Sequence, residues 1–253
     1  MVEAGTATAM AGLLPELPAS WQGLWERTLL ERYSPGTLTS ERPARVFWLQ
    51  TALWHADIRI PLERPDFSGT GSLEECDDQQ LAFIAGQEAF CGITRVEGVI
   101  CTWNRLFDLK PGTALDVARM EFKSDELIHE TGIAESYLEH WSLVVGSRDG
   151  GPSEFRVSDG GALWLRAGKW AVAVTPRGPA PAGIDIYTAA EDLPRDELFW
   201  RASLGVTLCE NTGGEWIARL STHPWLEGNI LSAPQNASDP APGPLRASEV
   251  ACA

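Results

Sequence analysis

The stretch Phe47-Trp48-Leu49-Gln50-Thr51-Ala52-Leu53-Trp54-His55-Ala56-Asp57-Ile58-Arg59-Ile60-Pro61 decides how the fold is read. At the two-residue period of a strand, Trp48, Ala52, Trp54, Ala56, Ile58 and Ile60 share one face. Phe47, Leu49, Thr51, Leu53, His55, Asp57 and Arg59 share the other. A strand that is apolar on both sides for most of its length is covered on both sides, yet the second face ends in three ionisable groups. His55, Asp57 and Arg59 are therefore expected where a buried surface opens to a cavity or rim.

Outward from this segment, itself read as one strand over 45–60, the chain alternates short strands and turns. Further strands are expected at 23–31, 93–96, 99–109, 114–122, 127–131, 136–145, 154–158, 162–167, 169–175, 184–188, 202–210 and 215–222. Glu97-Gly98, Lys110-Pro111-Gly112, Asp159-Gly160-Gly161 and Thr212-Gly213-Gly214 punctuate them with turn-forming residues. One covering helix is expected near 73–90. Ser72-Leu73-Glu74-Glu75 has capping-box spacing, and Leu81, Ile84, Ala85 and Ala89 follow at helical intervals. A shorter helical turn is expected around 192–199. Many short strands with one clear helix make the fold mainly β, an antiparallel barrel or sandwich.

The full chain of 253 residues is long enough for one large all-β domain or two smaller ones. Segments 1–19 and 233–253, rich in Ala, Gly and Pro, read as a flexible lead-in and a disordered tail around lobes at 20–122 and 123–232. A formal net charge of -15 disfavours attraction to nucleic acid or an anionic membrane. No segment has the apolar length of a membrane span, and the first nineteen residues lack the basic start of a signal peptide. Cys76, Cys91, Cys101, Cys209 and Cys252 form an odd set without C-x-x-C spacing, which argues for a reduced, cytoplasmic chain rather than a zinc site or a disulfide framework. The 11 tryptophans are large rigid surfaces that fill cores or line concave sites.

Trp21-Gln22-Gly23-Leu24-Trp25 looks like the Gly-x-Trp signature at the first strand of lipocalin-type barrels. The longer series is more distinctive: Trp48-Leu49-Gln50-Thr51, Ala56 to Pro61, Ala89-Phe90-Cys91-Gly92, Thr102-Trp103-Asn104-Arg105, Asp116 to Met120, and Tyr137-Leu138-Glu139-His140-Trp141. It resembles the lipocalin-like family typified by the fungal HRI protein and its bacterial relatives. The resemblance implies two calycin-like barrel lobes, and it brings little chemistry with it.

Alternation within the later strands adds to the first segment. Val99, Cys101, Trp103, Arg105 and Phe107 share one face, as do Tyr137, Glu139, Trp141, Leu143 and Val145. A composite follows in which His55 and Glu139 are candidate acid/base groups and Asp57, Arg59, Trp103, Arg105, Tyr137 and Trp141 are ligand contacts. Aromatic walls with one or two arginines suit a small organic molecule bearing an anion or carbonyl. The plainer reading is that acids beside arginines are ion pairs that fix register, and that the tryptophans are core.

The four histidines are too dispersed for a metal-ligand spacing, and no Gly-x-Ser-x-Gly elbow, P-loop or dinucleotide fingerprint occurs. No cofactor or metal is expected, and the expected partner is a small-molecule ligand or substrate. Three functions follow: a barrel that binds a small hydrophobic, partly anionic molecule; a cofactor-independent isomerase, cyclase or lyase using the same cavity; and a protein-interaction module with exposed tryptophans. Charged groups that all pair with one another would favour the binder, and an acid/base group open to the cavity would favour the enzyme.

Overall fold

The computed structural model describes residues 14–34, 37–40, 44–112, 115–158, 160–181 and 193–234. Most of the expected lead-in, the strand at 184–188 and most of the expected tail lie outside the described residues. Nine strands form the first sheet: β1 (Gly23–Ser34), β2 (Thr37–Ser40), β3 (Ala44–Gln50), β4 (Trp54–Pro61), β5 (Glu88–Glu97), β6 (Ile100–Asp108), β7 (Asp116–Ser124), β8 (Leu127–Gly132) and β9 (Tyr137–Leu143). Each pairs antiparallel with its neighbour, and β9 returns to pair with β1. β1 and β3–β9 thus close an eight-stranded barrel, with β2 appended to the far end of β1. Closure removes the unpaired edges that an open sheet would expose.

The 45–60 segment is two strands, not one. The chain reverses at Thr51–Leu53, and Trp48 comes to lie opposite Asp57 in the β3–β4 register. The expected faces are therefore split: Trp48 joins Asp57 inside the barrel, and Leu49 joins Ala56 and Ile58 outside. No Gly or Pro marks this turn, because a side chain holds it. The Gln50 amide nitrogen donates to the Thr51 and Trp54 carbonyls, at 3.0 and 3.2 Å. A second departure from simple alternation is the bulge at Cys91/Gly92, where Gly92 pairs with Arg105 and Cys91 with Phe107. It sends Phe107 to the outer core, whereas Trp103 stays inside.

A six-stranded antiparallel meander follows: β10 (Glu154–Val157), β11 (Leu163–Ala167), β12 (Trp170–Thr175), β13 (Gly205–Thr212), β14 (Glu215–Ser221) and β15 (Ile230–Leu231). Where a second barrel was expected, no pairing joins β10 to β15 among the described residues. The expected lobe boundary at 122/123 falls inside β7, which pairs with β8 in the barrel. The meander lays Leu163, Leu165, Val172, Val206 and Leu208 against Leu24, Leu49, Ala56 and Ile58 on the barrel's outer face. Trp54 stacks on Phe155 across this seam, ring centroids 4.1 Å apart. This second layer is why β3 and β4 are apolar on both faces.

The helix is shorter than expected. α1 (Asp78–Gly86) starts from a capping box of Asp77 and Gln80, not Ser72 and Glu75, and Ala89 and Phe90 belong to β5. Gln80 is anchored further by donating to the Asp66 carbonyl and Thr70 hydroxyl. α2 (Arg195–Ala202) takes the place of the short helical turn, and the two helices pack through Leu81, Ile84, Leu198 and Ala202. No helix among the described residues is long and apolar enough to cross a membrane.

Candidate functional site

The barrel interior divides into an aromatic half and a charged half. Trp25, Trp48, Trp103 and Trp141 fill the first with Cys101, Ala118, Met120 and Ile128. Trp48 sits edge-on to both Trp103 and Trp141, with ring centroids 5.8 Å apart in each case, a favoured aromatic geometry. Each of three buried indole N–H groups has an acceptor: Trp25 on the Trp21 carbonyl, Trp48 on Gln50 and Trp141 on Glu130. Trp25, Trp48, Trp103 and Trp141 are buried, and Trp170 is half-buried.

Toward one end the lining becomes ionic. Asp57 and Arg59 leave β4 on its inner face and pair, the Arg59 Nε and Nη2 donating to the two Asp57 oxygens at 2.8 and 3.3 Å. Burial raises the Asp57 pKa, and Arg59 opposes it. Burial works against the Arg59 charge too, but the Asp57 and Glu139 carboxylates outweigh it and raise its pKa. Glu139 on β9 is bound by Arg27 of β1 at 2.5 Å, both side chains being nearly inaccessible. Arg105 pairs with Asp116 at 2.6 Å and Asp108 at 3.3 Å, with its guanidinium 3.6 Å from the centre of the Phe90 ring.

Glu130 of β8 faces Glu139 in register and behaves differently. Its oxygens accept from the Tyr137 hydroxyl at 2.7 Å and the Trp141 indole at 2.9 Å, and among the described residues no cation lies within ion-pair distance. Burial first, and the neighbouring Glu139 charge second, push its pKa up to about 8. Tyr137 reaches it because Gly132 has no side chain. A Cβ there would stand 2.4 Å from the Tyr137 ring.

His55 lies deeper. The Thr94 hydroxyl gives its hydrogen to Gln50 at 2.7 Å, so the His55 Nδ1–H must donate to Thr94, at 3.0 Å. Nε2 then carries a lone pair, buried and without a partner among the described residues. Burial, and secondarily the Arg105 charge, depress its pKa to about 3, so the imidazole is neutral.

Asp57, Arg59, Trp103 and Trp141 line one recess together with Trp48, Phe90, Asp116 and Glu130. Tyr137 and Glu139 stand just behind it, Arg105 at its edge, and His55 beside Phe90 rather than in the lining. The recess encloses about 10 Å³, the lower limit for one water. Glu130, Arg27 and Asp116 carry no role in the sequence reading. Strand parity over 127–131 does pair Glu130 with Ile128, and the same parity pairs Arg27 with Trp25, so the signal was present without a partner to give it meaning.

The strand ends surrounding this recess expose apolar side chains. β1, β4, β6 and β8 end here, and β5, β7 and β9 begin here, because successive strands reverse. Tyr33, Leu62, Leu115 and Ile133, exposed large hydrophobic residues, sit at these ends, Leu115 with 77% of its surface accessible.

A closed antiparallel meander with an aromatic interior is a calycin-type barrel. No family model matches the chain, and no curated protein matches its sequence. Among solved structures it is similar to the crystal structure of an uncharacterized protein, YLR301w, from Saccharomyces cerevisiae. The match has 13% sequence identity and a TM-score of 0.50, covering 85% of this chain and 89% of the yeast one. At that identity the likeness concerns the fold alone.

Proposed function

We propose that this chain is a barrel-type binding protein that receives the narrow polar end of a small, largely apolar molecule at the open end of its barrel. The observation that carries the reading is the recess of Trp48, Phe90, Trp103, Trp141, Asp57, Arg59, Asp116 and Glu130 inside a rim of exposed Tyr33, Leu62, Leu115 and Ile133. Polar groups at the bottom and apolar surface at the mouth fit an amphiphile inserted head first. The kinship with the lipocalin-like family typified by the fungal HRI protein belongs to the same proposal, supported by the barrel and by the yeast likeness. Buried free thiols at Cys76, Cys91, Cys101 and Cys209 support a reducing, cytoplasmic setting.

The acid/base roles expected of His55 and Glu139 have less support. His55 is neutral, sealed from solvent and committed through Nδ1 to Thr94, and Glu139 is neutralised by Arg27. The interaction module has less again, since Tyr33 is the one aromatic residue among the exposed large hydrophobics described. Native mass spectrometry of protein purified from its own host tests the binder. A retained small molecule, lost on denaturation, is expected. A bare chain whose tryptophan fluorescence ignores alkyl amines, acids and alcohols alike would contradict the reading.

A further inference from the structure

We infer that the head group this recess accepts is a primary ammonium, with Glu130 as its counter-ion. The inference rests on the binding reading above and specifies its ligand class. The arginines that suggested an anionic ligand are already occupied: Arg59 by Asp57 and Glu88, Arg105 by Asp116 and Asp108. Glu130 is the opposite case, a buried carboxyl held by two neutral donors and matched by no cation among the described residues. One hydrogen bond reaches each of its oxygens, leaving further lone pairs available. Trp48, Trp103 and Trp141 line the recess with aromatic rings of the kind that attract a cation, whereas the face of Phe90 is already taken by Arg105.

Size sharpens the class. A space of about 10 Å³ takes a group no larger than water, which describes –NH3+ but not a trimethylated nitrogen. Glu130 faces Tyr137 and Glu139 of β9, Asp116 of β7, and Asp57 and Arg59 of β4, while Arg27 of β1 answers Glu139. With its pKa at about 8 it is mainly protonated at pH 7. An entering ammonium favours the carboxylate, so binding releases that proton: R–NH3+ and the neutral acid become the ion pair plus H+.

The experiment is calorimetric titration of the full chain at pH 7 with hexylammonium, hexanol, hexanoate and tetramethylammonium, in two buffers of different ionisation enthalpy. Hexylammonium should bind with proton release, tetramethylammonium should not bind, and Glu130→Gln, nearly isosteric, should weaken hexylammonium by about tenfold or more. Preference for hexanoate or hexanol would overturn the ammonium inference and leave the binding reading standing. Hexylammonium binding without proton release, or unchanged in Glu130→Gln, would overturn the role of Glu130. No binding by any probe overturns the inference as well, and the host-purified mass spectrum then decides the broader reading separately.

Discussion

At the scale of single residues, the charged half of the barrel is, apart from Glu130, a set of matched pairs whose members cannot be removed singly. Arg27→Leu would leave Glu139 buried, unpaired and opposite Glu130, and should destabilise the fold by about 3–5 kcal/mol. Arg27→Met combined with Glu139→Leu should recover most of that loss, which urea denaturation of the two variants beside the parent would read. His55 sets an acid sensitivity with a definite sign. Its native pKa of about 3 lies below the ordinary value of 6.5, so the unfolded chain binds the proton first, and stability falls as pH drops from about 6.5 toward 3. Glu130 acts oppositely. Its native pKa of about 8 exceeds the ordinary 4.5, so its contribution is full below 4.5 and is lost as pH rises through 8. Denaturation between pH 4 and 9 should therefore show a smaller acid loss in His55→Gln and a smaller alkaline loss in Glu130→Gln. Unchanged profiles would contradict both assignments.

At the scale of elements, legibility depended on whether the information was local. The residues near 50–54 contain none of the usual turn formers, and their reversal is enforced by Gln50, which accepts from Trp48 and Thr94 while donating to two carbonyls. Gln50→Leu strips partners from all four and should cost about 2–4 kcal/mol in an equilibrium melt; a loss below 1 kcal/mol would mean the turn holds itself. For α1, two capping boxes stand five residues apart in sequence, and only the contacts of Gln80 with Asp66 and Thr70 favour the second. Strand parity did place Asp57 and Arg59 together, and Tyr137, Glu139 and Trp141 together. What it lacked was β-sheet register: that Glu130 meets Glu139, and that Arg27 reaches it, depends on which strands become neighbours around the closed barrel.

At the scale of the whole molecule, barrel and meander share one apolar core, so neither is expected to be stable alone. Leu24, Leu49, Ala56 and Ile58 would face water if the meander were removed. A fragment ending at residue 147 should aggregate or bind hydrophobic dyes, whereas the full chain should unfold in one transition seen alike by near- and far-ultraviolet circular dichroism. A soluble, cooperatively folded fragment would show that the shared core is dispensable. The same architecture seals one side of the barrel, and the central functional claim concerns the end that holds the charged recess. Its most direct measurement is a titration with hexylammonium followed by the indole N–H resonances of the tryptophans. The Trp141 signal should move first, because its N–H is bound to Glu130, followed by those of Trp103 and Trp48, while Trp164 and Trp216 in the meander stay fixed. Shifts confined to the meander, or none in the barrel at saturating ligand, would contradict it.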